Sequence, residues 1–333
     1  MLRLIAMVWI ATFTVLWRRL CGRSRCARWT LVQEVTIDVQ RRNGLLLMRL
    51  GPERARRHLA SIAAPSKSES LVSRERVDVD GLEGEWVQAP GVPRDRGVLI
   101  YYHGGGYVFG TLAMYRDFTA RLALATRVRV LAVACRRAPE SRFPAATEDA
   151  VRAYRWLRAR DVSATRIVLG GDSSGGALVA TTLLILRDAN ESLPAGAFLI
   201  SPWVDLEAAS PSVDTHARLD WGDRSYLLHW ARMYLGEADP RDPLASPLHA
   251  RLDGLPPLLV MAGGAEVLSD EVTAFARRAQ RAGARAHLEL FDDMPHGWQM
   301  LPDVFPQAKI AVKCIARFVD EQLAIDAAQS VQQ

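Results

Sequence analysis

The chain has 333 residues, 49% of them hydrophobic and 24% charged, with a net charge of +5. That composition belongs to a globular protein of one or two domains with a sizeable core, and it excludes a fibrous or disordered chain. Arginines are scattered along the whole length, with no dense basic run interleaved with aromatics, which argues against a nucleic-acid partner. Four cysteines, Cys21, Cys26, Cys135 and Cys314, lack the spacing of a disulfide framework or a metal site. Cys21 and Cys26 alone are close enough in sequence to bridge, and free thiols in a reducing compartment are the expected state.

The first element differs from the rest. Leu4 to Trp17 (LIAMVWIATFTVLW) carries no charge, while Arg3 precedes it and Arg18, Arg19, Arg23, Arg25 and Arg28 follow. Its 14 residues fall short of the ~20 that span a bilayer. They match the apolar core of a signal peptide in length, but arginines rather than a small-x-small cleavage site come next. Three readings remain: a helix lying in a membrane interface, a short anchor, or a helix packed on the fold. Were the segment inserted, the arginines on its C-terminal side would hold the bulk of the chain in the cytoplasm.

A basic, helix-compatible stretch, PERARRHLASIAA, and a polar linker, PSKSES, follow Gly51. From Arg76, VDVDGLEGEWV alternates around glycine turns and predicts an antiparallel start. GVLIYYH is a short continuous apolar run, as expected of a strand buried on both faces. RVRVLAVAC, RIVLGG, GAFLIS, LPPLLVMAGG and ARAHLELFDDM predict further strands. Helical stretches separate them, notably PAATEDAVRAYRWLRAR and SDEVTAFARRAQRAG, the latter with a Ser/Asp start and a glycine stop. Such alternation predicts a mostly parallel sheet with helices on both faces. Between Asp205 and Leu255 the alternation lapses into a Trp/Tyr/Pro-rich insertion over one end of the sheet.

Ligands collect at the carboxyl ends of parallel strands. RIVLGG ends at such a place, and Gly171-Asp172-Ser173-Ser174-Gly175 fits G-x-S-x-G. There the chain must leave a strand and enter a helix within one or two residues, which strains the serine and exposes its Oγ. Side chains two residues before and after it would collide, and glycine removes the collision. The helix start behind it supplies unpaired N–H groups and positive dipole character.

A serine hydroxyl needs a base to become a nucleophile, and the oxyanion it creates needs donors. YYHGGGYVFG sets three glycines, Gly104 to Gly106, after the strand ending at His103; no Lys-Ser/Thr follows, so a phosphate cradle is disfavoured. Their N–H groups, with that of Ser174, are candidates for the donors. Of seven histidines, His296 in DDMPHGWQML has the chain order and post-strand position of a base. His103 lies upstream of Ser173, His287 falls inside a predicted strand, and His58, His216, His229 and His249 lie outside the predicted sheet core. Two carboxylates follow LPPLLVMAGG: Glu266, placed to reach the imidazole, and Asp270, placed to start the next helix.

The set HGGGYVFG, RRAPESRFPAATEDA, GGDSSGG, SPWVDL, EVLSD and MPHGWQM, in this order over Arg76 to Val319, resembles the hormone-sensitive lipase family of α/β-hydrolases, bacterial carboxylesterases with an HGGG oxyanion motif. The resemblance implies an eight-stranded, mostly parallel α/β-hydrolase core over residues 76–204 and 256–325. It implies a helical cap from 31–75 and the insertion 205–255, with 1–30 as an apolar N-terminal segment. It implies Ser173 as nucleophile, His296 as base and Glu266 as acid, with Asp270 as the alternative acid. Gly105, Gly106 and Ser174 match the oxyanion donors, and His103 and Gly104 the supporting turn; no cofactor and no metal are implied. The cap stretch Leu31 to Gly51 and the Trp221/Tyr226/Trp230 region are expected to line an acyl and alcohol pocket. Three positions depart from the family pattern. Glu266 replaces the usual Asp of D-P-L-x-D, CRRAPE replaces YRLAPE, and Ser174 replaces Ala.

The expected activity is hydrolysis of short- to medium-chain acyl esters through an acyl-enzyme. The alternatives are a deacetylase or a lipase using the same three residues, or a binding module such as the plant gibberellin receptors, which share the fold but lack the base. A small-molecule ester is the expected partner. The sequence leaves a membrane surface and a homodimer open.

Overall fold

Buried apolar runs set the frame of the molecule. A computed structural model describes residues 2–62, 66–93 and 95–330. Three helices come first, α1 (Leu2–Leu20), α2 (Leu31–Leu50) and α3 (Pro52–Ile62). The end of the predicted basic helix and the first linker residue (63–65) lie outside the described residues. A β-hairpin follows, β1 (Ser73–Val79) and β2 (Leu82–Gln88), and then the alternation begins: β3 (Val98–Tyr102), α4 (Arg116–Thr126), β4 (Arg129–Val133), α5 (Ala145–Arg158), β5 (Ile167–Asp172), α6 (Ser174–Asp188) and β6 (Gly196–Ile200). The insertion contributes α7 (Ser212–Thr215) and α8 (Arg224–Leu235), after which come β7 (Leu258–Gly263), α9 (Ser269–Arg281), β8 (Ala286–Phe291) and α10 (Gln307–Ser330).

The eight strands form one sheet in the order β1-β2-β4-β3-β5-β6-β7-β8. β1 and β2 pair antiparallel, as does β2 with β4, and every later pairing is parallel. The α/β-hydrolase architecture read from the motifs is therefore the one observed. β3, β5, β6 and β7 are buried along their whole length, which explains their unbroken apolar sequences: helices cover both faces and no position meets water. Alternate residues feed two cores. Ile100, Leu169 and Leu199 face the side of α5, α6 and α9, while Leu99, Val168 and Phe198 face the side of α4 and α10. The edge strands β1 and β8 are half exposed and read as mixed sequences.

The N-terminal helices are held to the body by charge as well as packing. Thr30 and Gln33 form a reciprocal capping box that starts α2. Asp38 on α2 accepts from Arg18 (2.7 Å), Arg25 (3.3 Å) and Arg42 (2.8 Å), and these guanidiniums hold its carboxyl below the usual range against the opposing effect of burial. Glu34, fully buried, accepts from Arg19 at 2.8 Å and from the Arg25 amide at 3.0 Å. Trp29 donates to the Asp293 carbonyl at 2.7 Å and Gln33 to that of Val304 at 3.1 Å, so α2 is tied to the loop that carries His296. Among the described residues, no helix is long and apolar enough to cross a membrane, and the cysteines are free thiols.

Asp38→Ala would leave three guanidiniums facing one another. Hydrogen exchange read by mass spectrometry should then quicken across α1 by at least about tenfold, while β3 and β5 keep their protection.

Candidate active site

Ser173 links the last residue of β5 to the first of α6, with φ 51° and ψ −124°, a conformation that a non-glycine residue adopts only when its surroundings enforce it. The enforcement is visible. The Ser173 amide donates to the Ile200 carbonyl at 2.9 Å, and the Ser173 carbonyl accepts from the Trp203 amide at 3.0 Å, so the end of β6 grips the bend from both sides. A Cβ on Gly171 would lie 2.4 Å from the Gly175 carbonyl oxygen, and one on Gly175 would lie 2.0 Å from that of Tyr102. The two flanking glycines are thus a steric requirement of the turn.

The exposed hydroxyl meets an imidazole. Ser173 Oγ lies 3.0 Å from His296 Nε2, and His296 Nδ1 lies 3.0 Å from Glu266 Oε2. Glu266 is fully buried and its other oxygen accepts the Gly263 amide at 3.0 Å, which fixes the carboxylate in the loop after β7. Asp270 does not reach the imidazole; its carboxylate accepts the Ser212 amide at 2.8 Å and so braces the start of α7. Burial would lower the His296 pKa, but the hydrogen bond and charge of Glu266, with the charges of Asp220 and Asp172, raise it above the ordinary imidazole value. A hydroxyl, imidazole and carboxylate in this chain can move a proton off the oxygen and stabilise the resulting imidazolium.

The remaining histidines stand elsewhere. His216 packs behind the acid loop on the Glu266 carbonyl at 3.0 Å, His58 meets Asn43 at 2.8 Å, and His229 packs edge-on against Trp230. His287 pairs with Glu289 at 3.0 Å on the exposed face of β8. His249 faces Glu207 and Asp205 at 3.4 and 3.7 Å, the one group of three metal-competent side chains among the described residues, away from the Ser173 cavity.

The glycine loop lies across the same hydroxyl. Gly105 and Gly106 have φ of 121° and 60°, and among the described residues their amides and that of Ser174 donate to no protein acceptor. Ser174 uses its hydroxyl to accept the Tyr107 amide at 3.2 Å, so the serine that departs from the family's alanine ties the loop to α6. Tyr107 in turn stacks flat on Tyr234 of α8 at 3.7 Å. His103 is half-buried and stacked on Tyr115, with Nδ1 2.9 Å from the Gly104 carbonyl; desolvation of the ring pushes its pKa down to about 4, so it is neutral near pH 7.

Two carboxylates join the site that the motif reading did not assign. Asp172 is buried and accepts from Tyr101 (2.6 Å), the Gly104 amide (2.9 Å) and Tyr115 (2.8 Å), locking the glycine loop onto the residue beside Ser173. Asp220, in the insertion, accepts the amides of Trp221 (2.7 Å), Val267 (2.8 Å) and His296 (3.0 Å). It therefore fastens the insertion, the acid loop and the base loop to one group, and burial pushes its carboxyl up to about 6. Its position next to Trp221 offers no local sequence signal, because two of the three amides it serves lie 47 and 76 residues away.

A cavity of about 300 Å³ opens over Ser173 and His296. Gln40, Asn43, Gly44 and Leu47 of α2 form one wall, and Trp221, Tyr226 and Trp230 another, as expected for those two stretches. Gly44 lies in mid-helix where a Cβ would sit 3.4 Å from the Tyr226 ring. The steric argument for the nucleophile turn has a direct consequence: Gly171→Ala should cost about 3 kcal/mol in urea-induced unfolding through overpacking of backbone against backbone.

Comparisons with known proteins identify the family. Residues 99–300 match the alpha/beta hydrolase fold family. An acetyl-hydrolase of Streptomyces hygroscopicus is 41% identical over 244 residues, which cover 73% of this chain and 81% of that protein. An esterase of Acinetobacter venetianus is 30% identical over 280 residues, covering 81% of this chain and 89% of its own. The crystal structure of an esterase from the bacterial hormone-sensitive lipase family superposes with a TM-score of 0.83 at 41% identity, covering 88% of this chain and 99% of that one. The chain belongs to the hormone-sensitive lipase family of α/β-hydrolases and is a carboxylic ester hydrolase.

Proposed function

We propose that Ser173, His296 and Glu266 are the nucleophile, base and acid of this ester hydrolase, and that its substrates are short- to medium-chain acyl esters of small alcohols. The observation that carries the assignment is the continuous chain from Ser173 Oγ through both imidazole nitrogens to Glu266, each link 3.0 Å long. His296 Nε2 takes the proton as Oγ bonds to the acyl carbon, and Glu266 stabilises the imidazolium. The amides of Gly105, Gly106 and Ser174 receive the oxyanion, helped by the positive end of α6. The imidazolium then protonates the leaving alcohol, and water repeats the sequence on the acyl-enzyme to release the acid. In this reading residues 31–75 and 205–255 form the cap over the core of 76–204 and 256–325. The named activity of the Streptomyces relative, an acetyl-hydrolase, and the modest cavity both support short acyl groups.

Ser173→Ala should lower kcat on p-nitrophenyl butyrate by at least about a thousandfold and abolish fluorophosphonate labelling. Glu266→Gln should lose about a hundredfold or more, with Asp270→Asn staying within a few-fold. Activity in Asp270→Asn lower than in Glu266→Gln would reverse the assignment of the acid. Across p-nitrophenyl esters, kcat/KM should peak between acetyl and hexanoyl; a maximum on long-chain emulsions would instead mark a lipase.

The base works unprotonated, and folding raises its pKa. The ascending limb of kcat/KM should therefore have its midpoint above 6.5, the ordinary imidazole value. In Asp220→Asn, which removes one of the charges favouring the imidazolium, that midpoint should move to lower pH.

A further inference from the structure

The outer face of α1 is apolar in a way the rest of the surface is not. Trp9 is 72% exposed, Phe13 73%, Trp17 62% and Leu20 83%. These residues recur at helical spacing along one side. The opposite side, with Ala11 and Val15 fully buried, packs on α2. A monomer rarely leaves so large an apolar stripe in water without a use for it.

Charge identifies what covers it. Arginines are spread along the whole chain, but their excess is not. The first 42 residues hold eight arginines and two acids, whereas the remaining 291 hold 34 basic and 35 acidic residues. The positive surplus of the protein thus resides in the segment that carries the apolar stripe, with Arg23 exposed immediately beyond α1. We propose that the Trp9–Phe13–Trp17 face of α1 docks in the plane of an anionic lipid surface, with the indoles at headgroup level and the exposed Arg23 guanidinium on the lipid phosphates, while the arginines bound to Asp38 and Glu34 add only their long-range positive field.

The geometry sets the mode of attachment. The uncharged stretch of 14 residues is about 21 Å long as a helix, short of the ~30 Å hydrocarbon core. Arg18 and Arg19 bind Asp38 and Glu34 of α2 at 2.7 and 2.8 Å, so insertion across the bilayer would break the bonds that hold α1 lengthwise to the body. A second copy of the chain is a poorer partner than lipid: a two-fold contact would bring two surfaces of the same positive sign together. Since α2 lies between α1 and the cavity and lines the latter with Gly44 and Leu47, docking would hold the active site one helix away from the lipid.

The test is flotation of the full chain with vesicles of phosphatidylcholine alone or mixed equally with phosphatidylglycerol. Wild type should float with the anionic vesicles at about 0.05 M NaCl and be largely released at about 0.5 M. The triple variant Trp9→Ser/Phe13→Ser/Trp17→Ser should partition at least about tenfold less, and its hydrolysis of soluble p-nitrophenyl acetate should match wild type, which shows that it folds. Arg23→Glu should weaken flotation while leaving the apolar stripe intact. Wild type that stays free of anionic vesicles at low salt overturns the proposal. So does a concentration-dependent dimer, seen by light scattering, that the triple variant abolishes while neither form floats. Because flotation does not depend on turnover, an inactive but vesicle-bound protein would count against the assigned esterase residues and leave lipid docking standing.

Discussion

The fold's chemistry depends on a single backbone constraint, the left-handed bend at Ser173. Holding a serine at φ 51° costs on the order of 1–3 kcal/mol, and the surroundings meet that cost with two contacts, Ile200 at the end of β6 to its amide and Trp203 in the loop beyond to its carbonyl. Because the grips come from the last residue of β6 and the loop that leaves it, the direction of the hydroxyl is tied to the pairing of β5 with β6. The bend then fixes everything built on it. α6 starts one residue later with its free amides beside the oxygen, and Asp172, one residue earlier, anchors the glycine loop through Gly104. The Ser173 hydroxyl and the glycine loop are therefore positioned by adjacent residues of one turn.

Around the imidazole, three buried carboxylates oppose the desolvation of its charged form. Glu266 bonds to the ring, while Asp220 and Asp172 act through space, and together they outweigh burial and raise the His296 pKa above its ordinary value. None of the three is an isolated buried charge, since each accepts at least one backbone amide. This division matters for turnover. The field that favours the imidazolium is supplied by fixed groups already in place before any proton moves, so little reorganisation accompanies the transfer.

Much of this was legible in the sequence because the determinants are local. A strand covered on both faces must be apolar throughout, so GVLIYY and RIVLGG could be read directly. The glycines at 171 and 175 are demanded by atoms a few residues away or in the adjoining strand. Asp172 and Asp220 were not legible for the opposite reason. Their partners lie dozens of residues off, and a lone aspartate in a polar-looking insertion carries the same sequence signature as a solvated one. Which of Glu266 and Asp270 faces the imidazole could only be ranked from the sequence, since four residues separate the one that bonds to His296 from the one that bonds to Ser212. α1 was ambiguous for a further physical reason. Its apolar residues surround the helix, and the side that packs is the one with small residues, Ala11 and Val15, because they permit close approach to α2, while the large aromatics face outward.

Gly44 carries a last implication. Glycine in mid-helix sacrifices about 1 kcal/mol relative to alanine, and α2 tolerates this where the Tyr226 ring leans against its backbone. The width of the cavity at that point is governed by a residue that contacts none of the reacting groups. A methyl group there would meet the ring at ordinary van der Waals distance and take up room in the cavity, while touching none of Ser173, His296 and Glu266. The shape of the cavity and the hydrogen-bonded row beneath it are thus set at separate positions, so that one can vary while the other stands.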